Sequence, residues 1–265
     1  MNVTYSSLDI EFDERTNLLT ADGDVRAPSI RYLNEMDAVL YDRQFAVEAD
    51  PRLELYYMYK DVTKKRDRPT FEVNELRFDI TIMPGHRLGK EFNKTLGQVH
   101  EAGPRGFSYP EVYEVISGRA HYLMQQMRDE DLSRVVLVEA REGERVLIQP
   151  GWWHFTINPS SEPLVMSNLL WRGVLADYDP IRRHKGAAYY ELHDGSFVRN
   201  TNYERVPELS RTRASPELAG RTAANRSLYS SFVESPETYR YLTHPEDFQS
   251  MWRSSPGHSG VSSQQ

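Results

Sequence analysis

Residues 78–118 read FDITIMPGHRLGKEFNKTLGQVHEAGPRGFSYPEVYEVISG, and PGWWHFTINP follows at residues 150–159. Alternate residues of a strand share a face, so Gln98 can point the same way as His100, and Glu111 the same way as Tyr113. His154 would approach from a later strand. Imidazole, carboxylate and amide groups suit one divalent ion, and this set does not choose among Zn, Fe, Mn, Co and Ni. The sequence therefore predicts a metal site on a β-scaffold.

Each of these residues also has a purely structural interpretation. Glu111 could pair with Lys94 or Arg119, and His154 could bond a backbone carbonyl. Four potential metal-ligating residues at this spacing favour one shared site over separate structural roles.

Composition narrows the class of protein. The 265 residues carry 39 acidic and 32 basic side chains, for a formal net charge of −7, which argues against nucleic acid as the main partner. The absence of cysteine excludes thiol catalysis, disulfides and thiolate metal sites. The N-terminal residues are mixed and polar, and no run approaches the roughly 20 apolar residues of a membrane span. A cytoplasmic protein without a membrane partner is expected.

Strand and turn spacing predicts one antiparallel β-barrel or sandwich. The Gln-x-His, Glu-x-Tyr, Gly118 and Pro-Gly-x-x-His elements together resemble the cupins, and more closely the cupin-type (archaeal-type) glucose-6-phosphate isomerases. The sequence segments that carry the resemblance are residues 89–97 (GKEFNKTLG), 110–115 (PEVYEV), 153–159 (WHFTINP), 177–181 (DYDPI) and 186–190 (GAAYY). The resemblance extends from about Ala27 to Leu209.

The resemblance implies an all-β cupin fold, a double-stranded β-helix or jelly-roll barrel, with one divalent metal ion. The implied metal ligands are Gln98, His100, Glu111 and His154. The implied substrate-binding residues are Thr81, Thr95, Gly97 and Tyr178, with Thr95 and Gly97 on the phosphate. The implied catalytic residues are Glu111 and Tyr113. One departure matters, because Gln98 stands where the family usually has a first histidine, and its neutral amide is a poorer donor for softer metals.

The expected activity is metal-dependent aldose–ketose isomerisation between glucose 6-phosphate and fructose 6-phosphate or a close analogue, which would place the protein in glycolysis and gluconeogenesis. It would proceed through a metal-stabilised enediolate or a hydride shift. Two alternatives stay open. One is a cupin recruited to other isomerase, epimerase or oxygenase chemistry, and the other is a cupin that binds a sugar without turnover. The partner is a small phosphorylated sugar or other polar metabolite, and a homodimer is expected.

The sequence is interpreted as four consecutive segments. Residues 1–30 are interpreted as an N-terminal arm, 31–209 as the cupin barrel and 210–253 as an extension that packs on the barrel or on a partner subunit. Residues 254–265 are interpreted as a disordered tail. Ser-Pro pairs at 215–216 and 235–236 predict short helices near Leu218 and Tyr239.

Overall fold

Strands dominate the regular structure, as the period-two pattern of apolar residues predicts. The computed structural model describes residues 2–5, 7–103, 105–128, 131–214 and 226–253. Its strands are β1 (Asn2–Tyr5), β2 (Leu8–Asp13), β3 (Leu18–Ala21), β4 (Asp24–Arg26), β5 (Ser29–Tyr32), β6 (Glu54–Tyr59), β7 (Leu76–Met83), β8 (Arg87–Leu88), β9 (Glu91–Lys94), β10 (Val99–His100), β11 (Glu111–Ser117), β12 (Arg119–Arg128), β13 (Asp131–Arg141), β14 (Arg145–Ile148), β15 (Trp152–Asn158), β16 (Leu164–Trp171), β17 (Ala176–Asp177), β18 (Tyr189–Glu191), β19 (Phe197–Arg199) and β20 (Leu209–Arg213).

The helices are short, and none of those described is longer than seven residues. They are α1 (Arg43–Glu48), α2 (Arg68–Val73), α3 (Asp179–Arg183), α4 (Leu228–Glu234) and α5 (Gln249–Arg253), with 3-10 turns at Leu33–Glu35, Asp37–Val39, Pro236–Leu242 and Pro245–Phe248. Pro236 opens a 3-10 turn that includes Tyr239, but the Ser235 side chain makes no capping bond. The helix predicted near Leu218 and the predicted tail 254–265 lie outside the described residues. None of the helices described is long and apolar enough to cross a membrane.

Two six-stranded sheets form the barrel. One has the order β14-β11-β16-β7-β6-β5 and the other β20-β13-β12-β15-β9-β8. Between β11 and β16 the chain passes repeatedly from one sheet to the other, which is jelly-roll connectivity. Neighbouring strands are antiparallel except β13 and β20, which run parallel. The prediction of an all-β cupin barrel is confirmed. The sheets extend slightly beyond the predicted limits of 31 and 209, because β5 begins at Ser29 and β20 ends at Arg213.

The interior between the sheets is apolar over most of its length. Its buried side chains include Val115, Leu123, Leu137, Phe155 and Met166, which come from both sheets. Burial of such side chains contributes about 1.5–3 kcal/mol each relative to leaving them exposed. This core holds the strands that carry the polar residues described below.

A second apolar cluster covers the outer face of the first sheet. Phe78 and Ile80 of β7 and Val112 of β11 point outward into it, while Thr81 and Tyr113 on the alternate positions point into the barrel. Residues from both ends of the chain complete this cluster; they include Leu8, Ile10 and Leu19 from the N-terminal sheet β1–β4, and Leu228, Phe232 and Tyr239 from the C-terminal segment. The first sheet is therefore buried on both faces.

Hydrogen bonds to Glu114 connect segments near both ends of the described chain to the barrel. Its Oε2 accepts hydrogen bonds from the Tyr5 hydroxyl at 2.6 Å and from the Leu228 N–H at 2.9 Å. Its Oε1 accepts from Arg145 Nε at 3.2 Å, and Arg145 also donates to the carbonyl of Arg226. A buried carboxylate needs such partners to offset its desolvation. The network fixes α4 against β11.

Candidate metal centre and substrate cavity

Backbone pairing sets two of the predicted ligands side by side. The Gln98 N–H donates to the His154 carbonyl at 3.1 Å, and the His154 N–H donates to the Gln98 carbonyl at 3.0 Å. Residues directly opposite in an antiparallel pair share a face, so both side chains project into the barrel. His100 follows two residues after Gln98 in β10, and Glu111 opens β11. The spacing read from the sequence thus brings four side chains to one point.

The ligand atoms converge closely. Glu111 Oε2 lies 3.3 Å from His100 Nε2 and 3.3 Å from His154 Nε2. The terminal Nε2 of Gln98 lies 3.2 Å from each of the same imidazole nitrogens. His100, Glu111 and His154 are all buried, and the atoms they offer lie within 4.8 Å of one another.

These separations fit a single divalent ion. Ligand bonds of about 2.0–2.2 Å place neighbouring ligand atoms roughly 3.0–3.5 Å apart in tetrahedral or octahedral geometry. Glu111 Oε2 is fully buried and has no hydrogen-bond partner among the described residues. A buried carboxylate oxygen without a partner is costly unless a cation neutralises it. The donor set and the orphaned oxygen therefore both suit a metal.

The imidazoles are held in a ligating orientation. His100 Nδ1 lies 2.6 Å from the Tyr109 carbonyl, to which it donates, so Nε2 faces the site. The Tyr109 ring stacks on Trp171 with centroids 4.1 Å apart, which anchors that carbonyl. Sequence reasoning missed Tyr109, because the group that contacts His100 is a backbone carbonyl, which every residue carries.

The electrostatics of the three buried groups are coupled. Burial opposes ionisation of Glu111, but contact with the two imidazoles holds the pKa of its carboxyl well below its usual range. Burial lowers the pKa of His154. Burial also acts to lower the pKa of His100, yet contact with the Glu111 carboxylate outweighs it and the pKa is raised. The site therefore holds an ionised carboxylate and a neutral His154 near pH 7.

Asn168 is a site residue that sequence reasoning missed. Its Nδ2 donates to Glu111 Oε1 at 2.5 Å, which leaves Oε2 to face the imidazoles. Asn168 lies on β16 opposite Tyr113 of β11. Its polar side chain in the apolar run 164–171 was the available signal. Groups that orient a ligand in this way set the affinity of metal sites.

An open cavity of about 480 Å³ lies over these groups. Its lining includes eight of the nine predicted site residues: Thr81, Thr95, Gly97, Gln98, Glu111, Tyr113, His154 and Tyr178. His100 lies behind the wall and reaches the site with Nε2 only. Burial, followed by the nearby Glu111 charge, raises the pKa of Tyr113 well above its usual value. Its hydroxyl, 3.4 Å from His154 Nε2, is therefore a neutral hydrogen-bonding group.

The predicted phosphate donors Thr95 and Gly97, here termed the phosphate wall, both line the cavity. Thr95 Oγ1 accepts the Thr156 N–H at 2.9 Å, which leaves its own hydroxyl proton available for a ligand. Gly97 adopts φ +80°, and a Cβ there would lie 2.1 Å from the Phe155 ring, so only glycine fits without displacement. Thr81 lines the same cavity from β7.

Arg31 is a second site residue that the sequence did not reveal. It lines the cavity from β5, and its guanidinium carbon lies 5.5 Å from the Tyr178 ring centroid and 6.0 Å from that of Tyr56. Its Nε donates to the Tyr56 hydroxyl at 3.2 Å, and its Nη1 pairs with Glu35. The two tyrosines hold a cation at the cavity wall, where it can meet an anionic ligand.

Comparison with known proteins gives one family match over most of the chain. Residues 31–208 match the family model described as glucose-6-phosphate isomerase (GPI). The glucose-6-phosphate isomerase of Pyrococcus abyssi is 30% identical over 116 residues, which cover 40% of this chain and 57% of that protein. The glucose-6-phosphate isomerase of Thermococcus litoralis is 27% identical over 157 residues, which cover 58% of this chain and 74% of that one.

Solved structures of low identity resemble parts of the chain. Oxalate oxidase in complex with the substrate analogue glycolate gives a TM-score of 0.33 at 11% identity over 54% of each chain. Vicilin from Corylus avellana gives a TM-score of 0.33 at 20% identity over 47% of this chain and 32% of that one.

Proposed function

The chain belongs to the glucose-6-phosphate isomerase family, and from that premise we propose that it is a metal-dependent isomerase of glucose 6-phosphate and fructose 6-phosphate or a close analogue. The observation that carries the proposal is the meeting of His100, Glu111 and His154 beneath a cavity walled by Thr95 and Gly97. The barrel domain over residues 31–209, a cytoplasmic location and a homodimer are proposed on family grounds.

Gln98, His100, Glu111 and His154 would hold the ion. When bound, a divalent ion supplies a Lewis acid that polarises the sugar carbonyl and stabilises negative charge on the oxygens at C1 and C2. The protein's own part is to fix the donor atoms before substrate arrives, which Tyr109 and Asn168 do for His100 and Glu111.

Lining residues outside the metal centre would orient the substrate. The hydroxyls of Thr81 and Thr95, the Gly97 N–H and Tyr178 are proposed to bind the phosphate, with Arg31 as the nearby cation. Arginine recognises phosphate oxygens through its fixed fork of N–H donors. Tyr113 is proposed to donate its neutral hydroxyl to a sugar oxygen.

Hydrogen transfer between C1 and C2 has two routes. Glu111 is placed to act as the base, but a carboxylate whose pKa is held far below its usual range is a weak base. This favours a direct hydride shift, in which hydrogen passes between C1 and C2 with its electron pair and the hydroxyl proton passes between the oxygens on those carbons, so that no base removes a proton from carbon. Turnover in heavy water separates the routes, because proton transfer through Glu111 incorporates solvent deuterium at C1 or C2 and a hydride shift does not.

The test is isomerase activity on fructose 6-phosphate after chelation and after return of Mn, Fe, Ni, Co or Zn singly. Activity is expected only with metal and is expected to vanish in His154→Ala. His121→Ala is the matched control, since His121 bonds Glu191 at 2.8 Å and does not line the cavity. Tight metal binding without turnover on any hexose phosphate would refute the isomerase assignment and favour a cupin recruited to other chemistry.

A further inference from the structure

The terminal amide of Gln98 occupies the position of a fourth ligand. Its inner atom lies 3.2 Å from both imidazole Nε2 atoms, and Glu111 Oε2 lies 3.3 Å from the same two nitrogens. The inner amide atom and the carboxylate oxygen are thus related in the same way to both imidazoles. A single ion among these four atoms would meet the amide as closely as the carboxylate.

The amide has two orientations of nearly equal shape. With nitrogen inward, as in the structure, the NH2 group faces the imidazoles and Oε1 lies 3.5 Å from the Tyr178 hydroxyl. With oxygen inward, the NH2 group faces Tyr178 instead. A hydroxyl both donates and accepts, so Tyr178 can partner either end of the amide. Its ring is held by Arg31 at 5.5 Å and Arg182 at 5.7 Å.

Building on the proposed function, we propose that Gln98 is the metal-selectivity residue of this site, an amide that offers its oxygen to the ion as the fourth ligand. An amide oxygen is a hard, neutral donor of the kind that suits Mn²⁺, whereas an imidazole in its place would favour Zn²⁺ and Ni²⁺. The site therefore discriminates against Zn²⁺ more than a site with three imidazoles would.

The experiment measures dissociation constants for Mn²⁺ and Zn²⁺ separately, by competition with a chelating dye, in the wild-type chain, Gln98→His and Gln98→Ala. Gln98→His is expected to tighten Zn²⁺ by about tenfold or more while Mn²⁺ changes by less than about threefold. Gln98→Ala is expected to weaken Mn²⁺ by about tenfold or more. The absorption spectrum of the Co²⁺-loaded chains provides a second readout, because replacing oxygen by nitrogen changes its d–d bands.

Gln44→His is the matched control, because Gln44 is exposed on α1, donates to Glu48 at 2.8 Å and does not line the cavity of the metal centre. An equal gain of Zn²⁺ affinity in that variant would overturn the proposal, as would a Zn²⁺ to Mn²⁺ ratio unchanged in Gln98→His. If Gln98→His does not fold, unchanged Mn²⁺ affinity in Gln98→Ala overturns it alone. Selectivity that shifts as expected in a chain without turnover would support this inference and refute the isomerase proposal, so the two fail separately.

Discussion

Replacing Gly97 by alanine tests whether the phosphate wall and the metal centre share one rigid support. Gly97 has φ +80°, and its added Cβ would lie 2.1 Å from Cδ1 and Cε1 of Phe155. Phe155 is buried and directly follows His154 in β15. If the ring admits the methyl group by shifting the backbone of β15, a proposed metal ligand shifts with it.

Gly195 provides a control with the same backbone strain and no collision. It has φ +84°, and a Cβ there would meet nothing within 4 Å. A side chain in the left-handed region costs about 1–2 kcal/mol, and overpacking a core adds typically about 1–3 kcal/mol. Gly195→Ala should therefore lose about 1–2 kcal/mol and Gly97→Ala about 2–5 kcal/mol. At about 2–4 °C per kcal/mol for a chain of this size, the two differ by roughly 2–12 °C in Tm.

The assay is thermal unfolding of both variants, followed by KM for fructose 6-phosphate and by metal titration. Gly97→Ala should show the lower Tm, a higher KM and weaker metal binding, while Gly195→Ala should change Tm alone. Equal Tm values for the two variants would refute the packing argument. A raised KM with intact metal affinity would show that Phe155 moves without carrying His154.

Three further outcomes follow from the site. Asn168→Ala should weaken metal binding by about 10–100-fold, because Glu111 loses the donor that orients its carboxylate. Titration calorimetry measures the metal affinity, and an unchanged affinity would contradict this role of Asn168. Arg31→Met should raise KM for the sugar phosphate by about tenfold or more without changing metal affinity, and an unchanged KM would contradict a role of Arg31 in binding the phosphate. Metal affinity should fall as pH drops through the raised pKa of His100, since a proton then competes with the metal for Nε2 while Glu111 stays ionised. Metal titrations across pH should show the loss beginning above about pH 6.5, the ordinary pKa of histidine, rather than near 4.5, the ordinary pKa of glutamate.

Period-two spacing was enough to predict which residues share a face, and the structure places Gln98 with His100 and Glu111 with Tyr113 as that spacing requires. Spacing does not reveal which face of a strand points inward. In β7 the apolar residues Phe78 and Ile80 point outward, whereas Thr81 points into the barrel and lines the cavity. The outward direction follows only once the chain ends are known to cover that sheet.

Asn168 and Arg31 mark the limit of sequence reasoning at the site. Asn168 lies beside Ser167 in an otherwise largely apolar strand, where a polar side chain can equally well bond the backbone. Arg31 has a long side chain whose direction depends on Tyr56 and Tyr178, which are 25 and 147 positions further along the chain. Contacts of that separation are set by the fold and leave no local pattern.

The double burial of the first sheet means that the part of the chain shared with its relatives is smaller than the part that must fold together. The family match ends at residue 208, yet Leu228, Phe232 and Tyr239 lie in the same apolar cluster as Phe78 and Val112. A fragment trimmed to the match would expose that apolar sheet face to water and would be prone to self-association. The segment that matches the family and the segment that must fold as one cooperative unit therefore end at different residues.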